Sequence, residues 1–154
     1  MVSGIAALMP ARIGESFAKR VRLSVDEIRV FATSVDDRNP LHHDEAVAHA
    51  AGYPGLIASG TQIGSLMMAM TATRFSQPGD EGQARSGLGI GFEIRFRAVV
   101  LAEEDIDMRW TVLSLERKER LDGWIAKLEG EARSARGVLM SATGTLLLRM
   151  TSAS

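Results

Sequence analysis

The apolar positions change period along the chain, from largely helical spacing before about residue 80 to alternation after it. From about Arg12 to Leu23 the chain reads as extended, with Phe17, Val21 and Leu23 on alternate positions. Ser24-Val25-Asp26-Glu27 is then a capping box. The Ser24 hydroxyl can accept from the Glu27 N–H while the Glu27 carboxylate reaches back to the Ser24 N–H. Ile28, Phe31 and Ala32 follow at helical spacing, which predicts a helix running up to Asn39-Pro40. Pro40 has no N–H and drives Asn39 out of helical geometry, so a loop must follow. Asp44 to Ala51 reads as a short helix, with Asp44 as N-cap and Gly52 as its stop. Ser59-Gly60-Thr61 opens a longer helix, about 61–74, that is apolar or small nearly all round and is therefore expected inside the fold.

After Ser86 the period is two. Leu88, Ile90, Phe92, Ile94 and Phe96 alternate with Gly89, Gly91, Glu93 and Arg95, which predicts a half-buried strand with one apolar face. Further strands are expected over 106–115, 124–132 and 138–150, with 115–123 as a hairpin connection. No helix separates them, so the sheet is antiparallel. One buried helix and a run of long strands is an α+β layout. The economical solution is a hot-dog fold, a curved antiparallel sheet wrapped around the central helix. Its edge strands call for pairing with a second copy, so a homodimer or higher homo-oligomer is expected.

Composition narrows the function classes. The 154 residues suit one domain, 1–154, with 1–11 as a loosely ordered start. Lys+Arg is 18 against 19 Asp+Glu, a balance that argues against a nucleic-acid partner. There is no cysteine, which removes disulfides, thiolate metal sites and a cysteine nucleophile, and suits a reducing cytoplasm. No apolar run reaches the roughly 20 residues of a membrane span, and residues 1–9 lack the basic and apolar regions of a signal peptide.

The chemistry is concentrated between Phe31 and Asp44. Two of the three histidines, His42 and His43, sit on the forced chain break beside Asp36, Asp37 and Asp44. Asn39 and Pro40 shape the bend. Asp37 could serve only an Asx-turn, and His43 and His49 suit satisfied or exposed scaffold positions. No zinc spacing is present and no metal or cofactor is called for. Met67, Met68 and Met70 read as core, and Arg117-Lys118-Glu119-Arg120 as a solvated loop tip.

The string Asp37-Arg38-Asn39-Pro40-Leu41-His42 resembles the signature Asp-x-Asn-Pro-(aliphatic)-His of MaoC-like acyl dehydratases and (R)-specific enoyl-CoA hydratases. Leu56-Ile57-Ala58-Ser59-Gly60 is similar to that family's lead into its central helix, and Ile94 to Val100 with Asp105-Ile106 to one of its strands. The likeness spans about 12–149. Ser59-Gly60 stands where many members have His-Gly, and Val99 where proline is usual.

The resemblance implies hydration of an enoyl thioester, or its reverse, with Asp37 and His42 as the acid–base pair on a CoA or carrier-bound substrate. The bend at Asn39-Pro40 lets both side chains face one point. Gly60, at the positive end of a helix dipole, is the candidate oxyanion donor, with Ser59 and Ser65 as further substrate-binding candidates. A thioesterase on the same fold and a silent acyl-thioester binding subunit are the rival readings.

Overall fold

In the computed structural model of the chain, which describes residues 8–152, Ser16–Arg22 (β1), Arg85–Phe96 (β2), Asp105–Lys118 (β3), Gly123–Ser134 (β4) and Gly137–Met150 (β5) form one antiparallel sheet in the order β1-β3-β4-β5-β2. The helices are Val25–Ser34 (α1), Glu45–Ala50 (α2) and Gly60–Phe75 (α3). The sheet curves around α3, and this is the hot-dog fold. Of the expected loose start over 1–11, residues 1–7 lie outside the described range, whereas Pro10 and Ala11 are buried. Among the described residues no helix is long and apolar enough to cross a membrane.

The sheet holds α3 through one row of paired residues. Trp110, Gly130, Ala142 and Ile94 lie side by side on four neighbouring strands. The buried indole donates to the Met67 carbonyl of α3 at 2.8 Å. A Cβ on Gly130 would stand 2.6 Å from that ring, so the position opposite Trp110 has to be glycine. Ile63, Met67 and Phe75 of α3 are fully covered against the sheet. Each such side chain contributes about 1.5–3 kcal/mol of transfer free energy. The burial of α3 is one-sided, however: Thr61, Ser65, Ala69 and Ala72 are exposed, so its all-round apolar character is not matched by enclosure in the single chain.

Three sequence expectations need correction. First, α1 stops at Ser34, well before Pro40. Asp36 takes a left-handed φ of 57°, its N–H donates to Thr33, and the Asp37 N–H donates to Ala32 at 2.8 Å. This is the two-bond C-terminal motif usually built on glycine, and it pins the Asp37 backbone directly to the helix end. Second, β2 does not keep one apolar face. A bulge at Ile90 shifts the register between Gly89 and Gly91. Phe92 and Ile94 pack on the core, but Leu88 and Ile90 are 60% and 52% exposed. Third, the connection after β3 is shorter than expected: the strand continues to Lys118, so only Glu119 and Arg120 of the basic run lie in the turn.

Candidate active site

The loop after α1 is held by its own side chains. The capping box of α1 forms as expected, with the Ser24–Glu27 contacts at 2.8 and 3.1 Å. Beyond the helix, the Asp37 Oδ1 accepts from the Asn39 N–H at 3.1 Å, and the Asn39 Oδ1 accepts from the Leu41 N–H at 3.1 Å. Pro40–His42 winds one 3₁₀ turn. Asp44 then caps α2, accepting from Ala46 and Val47. The Asx-turn is therefore real, and it occupies only one of the two Asp37 oxygens.

The other oxygen faces His42. Asp37 Oδ2 lies 3.4 Å from His42 Nε2, with the side chains 29% and 8% exposed. His42 Nδ1 is 2.8 Å from the Ile57 carbonyl. A carbonyl can only accept, so Nδ1 carries a proton and Nε2 is the ring nitrogen turned toward Asp37. A carboxylate oxygen and an imidazole nitrogen thus converge where a single water can reach both. The Asp37 carboxyl is held below the ordinary carboxylate range, first by the Asn39 N–H bond. Partial burial opposes that shift; the Ser59 hydroxyl and the neighbouring His42 and His43 add to it. Asp37 therefore enters the site as a carboxylate.

Ser59 joins the loop to α3. Its hydroxyl donates to Asp37 Oδ2 at 3.1 Å and lies 2.8 Å from the Thr61 hydroxyl. With its only hydrogen spent on Asp37, Ser59 accepts from Thr61. It sits at the N-cap of α3 yet makes no side-chain cap bond. The open first-turn N–H groups, Gly60 among them, keep their donor capacity and the positive helix end. A hollow of about 480 Å³ lies against this end, lined by His42, Ser59, Gly60, Thr61 and Phe96 and continuing over apolar residues such as Ile63 and Met140. A Cβ on Gly60 would stand 2.8 Å from the Phe96 ring.

Asp37, Asn39, Pro40, His42, Ser59 and Gly60 are thus gathered at one place. Ser65 is not: it lies on the exposed side of α3 and does not line the hollow. His43 donates Nε2–H to the Asp37 carbonyl at 2.6 Å, and His49 is exposed, with Nε2 3.0 Å from the Pro54 carbonyl. The sequence reading overlooked Thr61, whose spacing from Ser59 was available as a signal. It also overlooked Phe96 and Arg97, which reach the hollow from the far end of β2 and carry no local signal.

Residues 10–129 match the family model described as "MaoC like domain". A UPF0336 protein of Saccharopolyspora erythraea is 53% identical over 36 residues, a stretch that covers 23% of this chain and 23% of that relative. The (R)-hydratase from A. caviae involved in PHA biosynthesis superposes with a TM-score of 0.75 at 19% identity, over 92% of this chain and 98% of the other. A MaoC-like dehydratase from Rhodospirillum rubrum gives 0.75 at 23% identity, over 93% and 96%. At these identities the solved structures speak to the fold.

Proposed function

The chain belongs to the MaoC-like domain family, and on that premise we propose that it adds water to an enoyl thioester and, in reverse, dehydrates a 3-hydroxyacyl thioester. The observation that carries the reading is the approach of Asp37 Oδ2 and His42 Nε2 to 3.4 Å. A water resting beside the pair, within reach of both atoms, gives a hydrogen bond to the carboxylate and to the Nε2 lone pair and turns its own lone pair toward the β-carbon. As the C–O bond forms, the pair accepts a proton from the water; the same proton is then returned to the α-carbon. Negative charge that develops on the thioester oxygen meets the open Gly60 N–H at the positive end of α3. Ser59 orients Asp37, and Asn39 and Pro40 hold the bend. Ser65 has no part in this reading. The apolar part of the hollow takes the acyl chain, and CoA or an acyl carrier holds the thioester.

The edge strand β2 supports self-association. Among the described residues it pairs only with β5, and it exposes Leu88, Ile90 and Phe96, the last at 59%. A second copy aligned along this edge would cover them, giving a homodimer.

The test is turnover of a short trans-enoyl-CoA by the purified protein, followed as loss of the conjugated thioester absorbance. Asp37→Asn and His42→Ala are expected to lose about 10²–10⁴-fold. Wild-type rates in both variants would remove the assignment. Release of free thiol in place of hydration would point to the thioesterase reading.

A further inference from the structure

The hollow beside Asp37 and His42 carries one further charged residue on its wall, Arg97, immediately after β2. Its Nε donates to the Ser141 hydroxyl at 3.1 Å, and among the described residues the Nη1 and Nη2 groups have no partner. On the outer face of the sheet lies a second hollow, about 590 Å³, away from the Asp37–His42 pair. It is lined by Arg95, Arg97, Arg109 and Arg133 and by four carboxylates. Arg95 is paired with Glu93 at 2.6 Å and Arg133 with Glu131 at 2.6 Å. Among the described residues Arg109 has only the Ser16 hydroxyl, at 3.0 Å. Arg97 lines both hollows. It is an exposed guanidinium with a neutral partner and a free fork, on the rim where an apolar hollow meets a charged face.

That placement matches the polarity of an activated acyl group, which is apolar at one end and phosphorylated at the other. We propose that Arg97 binds a phosphate on the carrier arm of the thioester substrate through its free Nη edge. The inference rests on the acyl-thioester reading above and adds to it the residue that holds the phosphate of the carrier arm. A guanidinium fork suits two parallel bonds to a phosphate, and here no carboxylate has to be displaced first. Arg97 acts by holding the substrate and takes no part in proton transfer.

The experiment compares wild type with Arg97→Gln on three crotonyl thioesters: of CoA, of 4′-phosphopantetheine and of unphosphorylated pantetheine. The expected result is a rise in KM of about 10- to 100-fold on the CoA thioester, with kcat unchanged and the pantetheine thioester unaffected. If the 4′-phosphopantetheine thioester suffers equally, the phosphate held is the one next to the pantetheine; if it is spared, the nucleotide phosphates are held. Arg97→Lys is expected to recover part of the loss. Equal losses on all three thioesters, or none on any, would overturn the proposal. Calorimetric titration with coenzyme A itself needs no turnover. Weaker binding by Arg97→Gln in a protein that does not hydrate would uphold the phosphate site while removing the hydratase reading. Unchanged or absent binding would overturn the site.

Discussion

Helix α3 meets buried polar groups at both ends, and the two ends are built in opposite ways. At the C-terminal end, the buried Arg85 donates to the carbonyls of Pro10 at 2.6 Å, Gln77 at 3.0 Å and Arg74 at 3.1 Å, and to Glu15 at 3.3 Å. Glu15 also accepts from Arg74 and from the Arg12 N–H. Every nitrogen of the Arg85 guanidinium faces an acceptor, and the group lies over the Phe75 ring at 4.8 Å. At the N-terminal end, Asp37 Oδ2 and His42 Nε2 approach only to 3.4 Å, while the helix N–H groups lack a side-chain cap. A closed arrangement ties the chain segment around Pro10 to the sheet and the helix. An open one has capacity left for a guest. Unused hydrogen-bonding capacity in a half-buried place, rather than charge or burial alone, is what separates the candidate functional cluster from the structural one.

The largest effect that would sharpen this contrast is on stability. Glu15→Ala leaves two guanidinium groups without their shared carboxylate, and removal of one partner from a buried pair costs about 3–5 kcal/mol. Thermal unfolding should fall by on the order of 10 °C. The folded fraction should keep its kcat, since the clamp lies at the far end of α3. A loss of kcat with unchanged melting would break the division between the two ends.

Gly60→Ala acts the other way. Its Cβ meets ring atoms of Phe96 and no backbone, a contact that a small turn of the ring relieves, so melting should change by less than about 2 °C. The displaced ring and the added methyl would crowd the open N–H groups, and kcat/KM should fall about tenfold, roughly 1.4 kcal/mol. Steady-state kinetics beside a melting curve checks both halves.

The smallest effect is on titration. Asp37 has a folded-state pKa below its unfolded value, so its ionised form contributes stability above the unfolded value, and that contribution is lost as pH falls through the folded one. Ser59→Ala removes one of the hydrogen bonds that lower it, and the Asp37 midpoint should move up toward the ordinary carboxylate range. Carbon-detected NMR of the Asp37 carboxyl measures the shift; an unmoved midpoint would show that the Asn39 N–H bond and the neighbouring histidines suffice.

Local features of this design were legible in the sequence, and non-local ones were not. The Ser24 and Asp44 caps, the break at Asn39-Pro40 and the opening of α3 depend on residues within a few positions of one another. So did the convergence of Asp37 and His42. The end of α1 was misread because a left-handed Asp36 does the work usually left to glycine, ahead of the more conspicuous Pro40. The outward turn of Leu88 and Ile90 depends on a bulge against β5, which no alternation in β2 discloses. Ser59 was legible as part of the opening of α3 and as a substrate-binding candidate, and only the position of Asp37, 22 residues earlier, shows where its hydroxyl is spent. Phe96 and Arg97 come to the hollow through sheet pairing alone.

The central claim is that Asp37 and His42 act on one water, and a double-mutant cycle in enoyl-CoA hydration tests it most directly. The account predicts that Asp37→Asn and His42→Ala each lose about 10²–10⁴-fold, and that the double variant is hardly slower than the poorer single one. Losses that multiply, or a wild-type rate in either single variant, would contradict it.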